Sequence, residues 1–366
     1  MTESGNTALS PARIAGLDLI RGFAILLVLL RHAWPEVFGG AGIVGVVTFF
    51  ALSGYLITGV IKRDIDVHGK LRYGRFYRNR AFRLLPALCF MLFGFGIIES
   101  TFNILGHRQE IWPSVFAALT YTMNIPGIPH GSSAVSHLWT LATEEQFYLV
   151  WPAIVVAGIR FRRMRWFVVF SAVASLAFCA VTIAIVWPQV ERVYSLPTSW
   201  AVAMIIGAAA NLGKSQLVRY LPKRASARHI AAAAAMSLLI ILSFAPEPKG
   251  SALAYLIGGP LVAICTVVLI DYAGGWATLP TPTLSPLLWL GTVSYATYLW
   301  NFPIATWMGG RPLAPLQALA SIALSVGAAT VSWWLIEVPF SRLKRRLDMR
   351  ARSELKAARP LSDLKK

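Results

Sequence analysis

The chain has 366 residues, and its composition excludes an ordinary water-soluble protein, because 56% of the residues are hydrophobic and only 14% are charged. Apolar runs about 20 residues long recur along the whole chain, which is the length a helix needs to cross a bilayer. The net charge of +18 would indicate nucleic-acid binding in a soluble protein, but the placement of the basic residues here indicates membrane topology instead. The sequence therefore predicts an all-α, polytopic membrane protein.

Ten membrane-spanning helices are predicted from the apolar runs that lie between polar or Pro- and Gly-rich breaks. They fall at residues 14–34, 43–61, 84–99, 138–159, 166–187, 198–213, 229–245, 252–271, 286–308 and 314–337. An eleventh apolar run, at 111–125, is short, contains Pro113 and sits in a polar stretch. Its status is decided by the distribution of lysine and arginine.

Lysine and arginine mark the cytoplasmic loops of membrane proteins. With ten spans and both termini in the cytoplasm, 29 of the 34 basic residues fall on the cytoplasmic side. A crossing at 111–125 would invert every later loop, so we expect this run to be a re-entrant or interfacial piece of an outer loop. The same charge predicts contact with anionic lipid headgroups rather than with nucleic acid. Residues 341–366 are predicted to form a basic cytoplasmic tail.

The three cysteines, Cys89, Cys179 and Cys265, lie inside predicted spans. They form no Cys-x-x-Cys pair and have no histidine at metal-ligand spacing nearby, so we expect neither a disulfide nor a metal site. The first apolar run is too long for the apolar region of a signal peptide and is predicted to be an uncleaved first helix.

The first predicted span carries two ionisable side chains, Arg21 and His32. Eleven residues of helix bring His32 to within roughly 20° of Arg21 on the same face, about 16 Å further along. An ionisable group inside a span costs about 2.5–3.5 kcal/mol on insertion scales, which makes both residues functional candidates. The alternative is that Arg21 only reaches towards the headgroups while His32 sits at the outer interface.

A cluster of arginines enters the third predicted span ahead of Pro86. Arg80 and Arg83 are neighbours on one helix face, and the planar guanidinium group binds phosphate through two parallel hydrogen bonds. These residues are candidates for binding a phosphorylated ligand. The alternative is that they only mark the cytoplasmic end of the helix.

Two adjacent acids, Glu144 and Glu145, stand at the outer start of the fourth predicted span in a stretch that begins at His137. Thr140 lies one helical turn before Glu144, so the hydroxyl and the carboxylate can share a face. The alternative is an interfacial cap in which Glu145 faces water.

Two further polar stretches lie in the second and ninth predicted spans. They contribute Ser53 and the group Tyr298, Trp300 and Asn301. The alternatives are close helix packing through small residues in the first case and an aromatic interfacial belt in the second. From residue chemistry alone, the chain is either an enzyme or a transporter with a polar track across the membrane.

At these residues the sequence resembles the acyltransferase 3 family of integral membrane acyltransferases, over residues 16–340. That family modifies surface polysaccharides, lipopolysaccharide O-antigens, exopolysaccharides and some macrolides. The matching motifs are the pair Arg21 and His32, Phe-Phe-x-Leu-Ser-Gly-Tyr at 49–55, Arg-x-x-Arg-Leu-Leu-Pro at 80–86, His-x-Trp-Thr-x-x-x-Glu-Glu-Gln-Phe-Tyr at 137–148, and Ser-Tyr-x-x-Tyr-Leu-Trp at 294–300. The resemblance implies that residues 1–340 form a membrane acyltransferase domain.

The sequence departs from the pattern of that family at a few positions. Many relatives carry His where this chain has Asn301, so an imidazole role is not carried over to that position. Thr140 replaces a usual Ser and keeps the hydroxyl, while Val47 and Thr48 stand where an acidic residue often precedes the Phe-Phe pair. Longer relatives append a periplasmic hydrolase-like domain, and this chain is expected to be the stand-alone form.

The resemblance implies O-acyl transfer, with acetyl as the expected group, from cytoplasmic acyl-CoA to a hydroxyl of a saccharide, free or lipid-linked. The expected location is a bacterial inner membrane, and no tightly bound cofactor is expected. Phosphates of CoA are expected to bind Arg21, Arg80 and Arg83. Neither the acceptor nor the oligomeric state follows from the sequence.

In that scheme His32 acts either as general base or as a transient acyl carrier. Glu144 or Glu145 orients the imidazole or binds the acceptor, and Thr140 donates to the developing oxyanion. The residues expected to support the acceptor site are His137, Ser53, Tyr298, Trp300 and Asn301. The competing function is a transporter or flippase for a lipid-linked or acylated saccharide, although paired broken helices in two related halves, typical of many transporters, are not evident.

Overall fold

The computed structural model describes residues 14–216, 224–309 and 314–357, and within these ranges the regular elements are all helical. The α-helices described are α1 Ala15–Ala33, α2 Ala41–His68, α3 Tyr73–Phe102, α4 Ile111–Leu119, α5 Trp139–Arg160, α6 Met164–Val186, α7 Ala201–Leu212, α8 Ala225–Ser243, α9 Gly259–Ala273, α10 Ser285–Thr292, α11 Ser294–Trp307, α12 Pro315–Ser332 and α13 Val338–Ala357. The prediction of an all-α fold is confirmed for the described part of the chain.

Within the described ranges, six helical stretches are long and apolar enough to cross a membrane by their length and composition. They are Ala41–His68, Tyr73–Phe102, Met164–Val186, Ala225–Ser243, Ala254–Ala273 and Pro315–Leu347. The protein is therefore a multi-pass membrane protein, as its hydropathy predicts. Helix α1 is also 19 residues long, but it carries Asp18, Arg21 and Arg31.

Each of the ten predicted spans falls on a described helix, but the ninth is divided in two. Residues 286–308 form α10 and α11, which are separated at Val293, where φ is −95° and ψ is 9°. The run at 111–125 contains α4, whose nine residues extend over about 14 Å and are too short to cross a hydrocarbon core of about 30 Å.

A nearly continuous helical stretch runs from α12 to α13 through a π-helical turn at Trp333–Glu337. The predicted boundary of the membrane domain at residue 340 therefore lies inside this stretch. Of the predicted tail, residues 341–357 continue α13, and residues 358–366 lie outside the described residues.

Helix α1 lies at the centre of the bundle, in contact with α2, α9, α10, α11 and α12. Most of its residues are buried, and Ala24 and Ile25 are completely so. At the periphery of the bundle, by contrast, α6 exposes large apolar side chains such as Trp166, Phe170 and Ile185. A helix that is apolar all round and exposes these groups is suited to contact with lipid.

Helices α2 and α7 pack closely because each places a glycine at the crossing. A side-chain carbon at Gly54 would collide with the backbone oxygen of Met204, and one at Gly207 would collide with the backbone oxygen of Ala51. Close helix packing through small residues thus explains Gly54, as one reading of the second span predicts. The neighbouring Ser53 points elsewhere and lines a cavity.

Candidate functional site

A cavity of about 170 Å³, called here the arginine cavity, opens between α1, α2, α3, α5 and α11. Its charged and hydrogen-bonding lining residues are Arg21, Ser53, Arg80, Arg83, Thr140, Glu144, Tyr148, Ser294, Tyr295 and Tyr298. Helix geometry brings them together: Arg80 and Arg83 are one turn apart on α3, and Glu144 and Tyr148 are one turn apart on α5.

Arg80 is fixed in this cavity by two partners on α5. Its Nη2 atom lies 2.5 Å from Oε1 of Glu145, and its Cζ atom lies 3.5 Å from the centre of the Tyr148 ring. The side chains of both ion-pair partners are mostly buried. Tyr148 in turn shares a hydrogen bond with the hydroxyl of Ser53 on α2. Arg80 therefore belongs to a rigid cluster that joins α2, α3 and α5.

The other two arginines of the cavity differ in their partners. Arg21 Nη1 lies 3.0 Å from Oδ1 of Asp18, which is buried one turn earlier on α1. Arg83 makes no ion pair with any residue in the described part of the chain, although its side chain is accessible within the cavity. The arginine cavity can therefore accept an anion at Arg83, beside two arginines whose positions are already fixed.

A second cavity, of about 350 Å³ and called here the histidine cavity, is lined by His32 of α1 and His137 of the turn before α5. The ring of Phe302 lies between the two imidazoles, 5.0 Å from the centre of His32 in an edge-on arrangement and 5.1 Å from that of His137 in a stacked one. His32 Nδ1 also shares a hydrogen bond with Oδ1 of Asn301. Both imidazoles are thus held at the cavity surface.

Charged and aromatic groups from helix ends and loops complete the histidine cavity. Arg31 forms an ion pair with Glu247, and Lys249 Nζ lies 3.9 Å from the same carboxylate. Lys249 also lies 4.5 Å above the ring of Tyr194, whose pKa is raised to about 12 by burial, so that the phenol is uncharged. Together with Trp139, these groups give the cavity the mixture of aromatic faces and polar atoms that suits a polar organic ligand.

The two cavities share a wall made of Val46, Thr140 and Tyr298, which line both. Thr140 Oγ1 lies 2.6 Å from the Tyr298 hydroxyl, to which it donates, and that hydroxyl donates to the backbone oxygen of His137 at 2.7 Å. Two hydroxyl groups therefore stand between the arginines on one side and the histidines on the other. Molecules bound in the two cavities would therefore lie on opposite sides of this wall.

The comparisons with known proteins identify the family of this chain. A sequence model of the acyltransferase 3 family, described as an acyltransferase domain, matches residues 14–337. The chain belongs to this family. The family resemblance inferred from the motifs is therefore confirmed.

Relatives from three bacteria are similar to this chain. The peptidoglycan O-acetyltransferase OatA of Listeria monocytogenes is 26% identical, over 92% of this chain and 57% of that protein. The putative peptidoglycan O-acetyltransferase YrhL of Bacillus subtilis is 28% identical, over 80% and 48% respectively. The O-acetyltransferase OatA of Staphylococcus aureus is 25% identical, over 91% and 58%. The chain thus spans about half the length of these relatives, and no solved structure matches it.

Most residues that the family resemblance picks out meet at the two cavities. The arginine cavity is lined by Arg21, Ser53, Arg80, Arg83 and Glu144. The histidine cavity is lined by His32 and His137, and the wall contains Thr140 and Tyr298. Asn301 contacts His32, and Glu145 contacts Arg80. Trp300 lies apart from both cavities and packs against Phe90 with ring centres 6.0 Å apart.

The structure adds site residues that sequence reasoning missed. They are Asp18, Arg31, Tyr148, Glu247 and Ser325. Local signals existed for Asp18, which precedes Arg21 by three residues, and for Tyr148, which follows Glu144 by four, since each shares a helix face with its neighbour. The partners of Arg31 and Asn301 lie 216 and 24 residues away, and no sequence spacing predicts such pairs.

Proposed function

We propose that the protein is a membrane-bound O-acyltransferase that moves an acyl group, acetyl in the first instance, from acyl-CoA to a hydroxyl of a saccharide. The observation that carries the proposal is the pair of cavities with a common wall, one lined by arginines and the other by histidines. A transferase for two substrates needs both to reach one point while each keeps its own binding site.

The donor would bind in the arginine cavity. Coenzyme A carries several phosphate charges, and charge-assisted hydrogen bonds from guanidinium groups to phosphate are among the strongest in proteins. Arg83 is the natural first contact because it has no ion-pair partner in the described ranges, whereas Arg21 and Arg80 are held by Asp18 and Glu145. The thioester would then extend towards the wall.

The acceptor would bind in the histidine cavity, with the reacting hydroxyl next to His32. The oxygen attacks the acyl carbonyl carbon while His32 takes the hydroxyl proton; the carbon–sulfur bond then breaks, and the thiolate leaves and regains a proton. The products are the acyl ester and free CoA. Thr140, in the wall, would donate a hydrogen bond to the oxyanion that forms on the way, in place of its bond to Tyr298.

The topology that fits this function has ten spans with both termini in the cytoplasm of a bacterial inner membrane. It rests on the basic residues, of which 29 of 34 fall on the cytoplasmic side in this arrangement. Arg21 would then lie towards the cytoplasm and His32 towards the outside, about 16 Å apart along α1. The arginine cavity would take its donor from the cytoplasm.

The acceptor class is proposed from the relatives. Two of them are named as peptidoglycan O-acetyltransferases, which favours a cell-wall glycan, and lipid-linked and lipopolysaccharide sugars are the next classes to test. Aromatic faces suit the apolar faces of sugar rings, and Trp139 and Tyr194 supply them in the histidine cavity.

The experiment is a thiol-release assay on the purified protein in nanodiscs, with acetyl-CoA and a panel of peptidoglycan fragments, lipid-linked saccharides and free glycans. We expect release that depends on the acceptor, is lost in His32→Ala and is kept in His229→Ala. His229 is a matched control because it lies on α8, lines neither cavity, bonds the backbone of its own helix at Ala225 and packs edge-on against Tyr272. A folded protein that binds no acyl-CoA would contradict the proposal and favour a saccharide transporter.

A further inference from the structure

A chain of hydrogen bonds leads from α12 to His32, and each bond in it has a fixed direction. It begins at Ser325, whose Oγ lies 2.6 Å from the backbone oxygen of Ser321, one turn earlier on α12. A carbonyl oxygen can only accept, so the single hydroxyl hydrogen of Ser325 is used there. Towards any other neighbour, Ser325 can only accept.

The next member is Asn301 of α11. Its Nδ2 atom lies 3.2 Å from Ser325 Oγ, and this contact requires the amide nitrogen rather than the amide oxygen, because Ser325 has no hydrogen left to donate. The amide oxygen of Asn301 must therefore face His32. Since that oxygen can only accept, Nδ1 of His32 carries the hydrogen and the lone pair of the neutral imidazole lies on Nε2.

The surroundings keep this arrangement in place. Asn301 and Ser321 are each 1% exposed, and Ser325 is completely buried, so solvent cannot replace a lost partner. Turning the amide over would set its oxygen against Ser325 Oγ, whose only hydrogen is already donated to the backbone of Ser321, and this would leave a buried acceptor unsatisfied. Phe302, edge-on at 5.0 Å, restrains the plane of the His32 ring.

We propose that Asn301 and Ser325 are positioning residues that hold His32 in the Nδ1-protonated form, so that Nε2 receives the proton of the acceptor hydroxyl. The proposal rests on the acyl transfer proposed above and deepens it by choosing the nitrogen that acts. As the acceptor oxygen bonds to the acyl carbon, its proton moves to Nε2 and the carbon–sulfur bond breaks. The imidazolium then returns the proton to the departing thiolate.

The first test reads the tautomer directly and needs no turnover. Ring-¹⁵N-histidine NMR of the full chain in nanodiscs, without substrate, distinguishes the protonated from the unprotonated nitrogen, and His32→Ala assigns the signal. We expect the wild-type imidazole, when neutral, to be protonated at Nδ1, and Asn301→Leu to give a mixture of tautomers. A wild-type His32 protonated at Nε2 would overturn the proposal, whatever the protein's activity.

The second test is kinetic and uses a control on the same helix. A histidine in the wrong tautomer cannot act as the general base, and general-base catalysis typically increases the reaction rate by about 10²–10⁴-fold. Asn301→Leu should therefore lower kcat by on the order of a hundredfold, with little change in the KM for acyl-CoA. Asn301→Asp keeps an oxygen facing Nδ1 and should recover most of that loss. Ser325→Ala should lower kcat by a smaller factor, roughly tenfold, because Asn301 still faces Nδ1 and only the restraint on its orientation is lost.

Ser321→Ala is the matched control for Ser325→Ala, because Ser321 enters the chain only through its backbone oxygen. We expect its kcat to stay at the wild-type value. Equal kcat values for Ser325→Ala and Ser321→Ala, or variants that change KM alone, would remove the positioning role. Absence of transfer in the wild-type protein would instead contradict the proposed function, and the NMR result would still decide the tautomer.

Discussion

The ion pair between Arg80 and Glu145 predicts a measurable coupling between α3 and α5. The two side chains are only 15% and 16% exposed, their charged atoms are 2.5 Å apart, and Arg80 also lies over the Tyr148 ring. Removing one partner of a buried pair leaves an uncompensated charge, which destabilises proteins by about 3–5 kcal/mol. For Glu145→Gln we expect the low end, about 3 kcal/mol, since the amide still accepts a hydrogen bond from Arg80.

That loss corresponds to a change of about a hundredfold in the unfolding equilibrium, because each 1.4 kcal/mol is a factor of ten. The assay is equilibrium unfolding in mixed micelles, followed by tryptophan fluorescence, for Arg80→Gln, Glu145→Gln and the double variant. The double variant leaves neither partner as an isolated charge. Its loss in free energy of unfolding should therefore be smaller, by about 1–3 kcal/mol, than the sum of the losses in the two single variants.

Two outcomes would refute this reasoning. If Glu145→Gln changes the free energy of unfolding by less than about 1 kcal/mol, the pair behaves like an exposed surface bridge. If the double variant loses as much as the two single variants together, Arg80 and Glu145 act independently, and their contact does not connect α3 to α5 energetically.

Three other predictions follow from single residues. Arg83→Gln should weaken acyl-CoA binding about 10- to 100-fold, because one charge-assisted hydrogen bond is lost. Arg75→Gln should leave the affinity unchanged, since Arg75 lies on the same helix but outside the cavity. Isothermal titration calorimetry measures both affinities. Gly54→Ala should destabilise the protein by about 1–3 kcal/mol in equilibrium unfolding, because its new methyl group meets the Met204 backbone. Trp300→Phe should stay within about 1 kcal/mol in the same measurement, since the indole nitrogen has no hydrogen-bond partner in the described chain.

The membrane character of the fold could be predicted because it depends on local composition. A run of about 20 apolar residues is long enough to span, whatever it packs against. The break at Val293 was not predictable in this way, since α10 and α11 are both apolar and the residues between them carry no proline or charge. Both helices pack against α1, a contact that local composition does not encode.

Within the candidate site, the sequence predicts which residues share a helix face but not what they meet. Arg80 and Arg83 line one cavity as their spacing predicts, while the partner of Arg80 comes from a helix 65 residues later. Trp300 illustrates the same limit. It is two residues after Tyr298, and two helical steps of about 100° turn it to a different face, so one motif contributes Tyr298 to the wall and Trp300 to packing against Phe90.

In the proposed reaction, the division of the site into two cavities has a physical reason. A thioester exposed to water on both sides would be open to hydrolysis, and excluding water from a reacting centre is one way in which active sites prevent such side reactions. In the described structure Thr140 donates to the Tyr298 hydroxyl, which in turn donates to the backbone oxygen of His137, so neither hydroxyl points an unused donor into a cavity. In the proposed reaction, an acyl oxygen at the wall would offer Thr140 a replacement acceptor, while the Tyr298 hydroxyl would keep its bond to the backbone of His137. The oxyanion contact can then form by exchange of one hydrogen bond, without exposing a buried polar group.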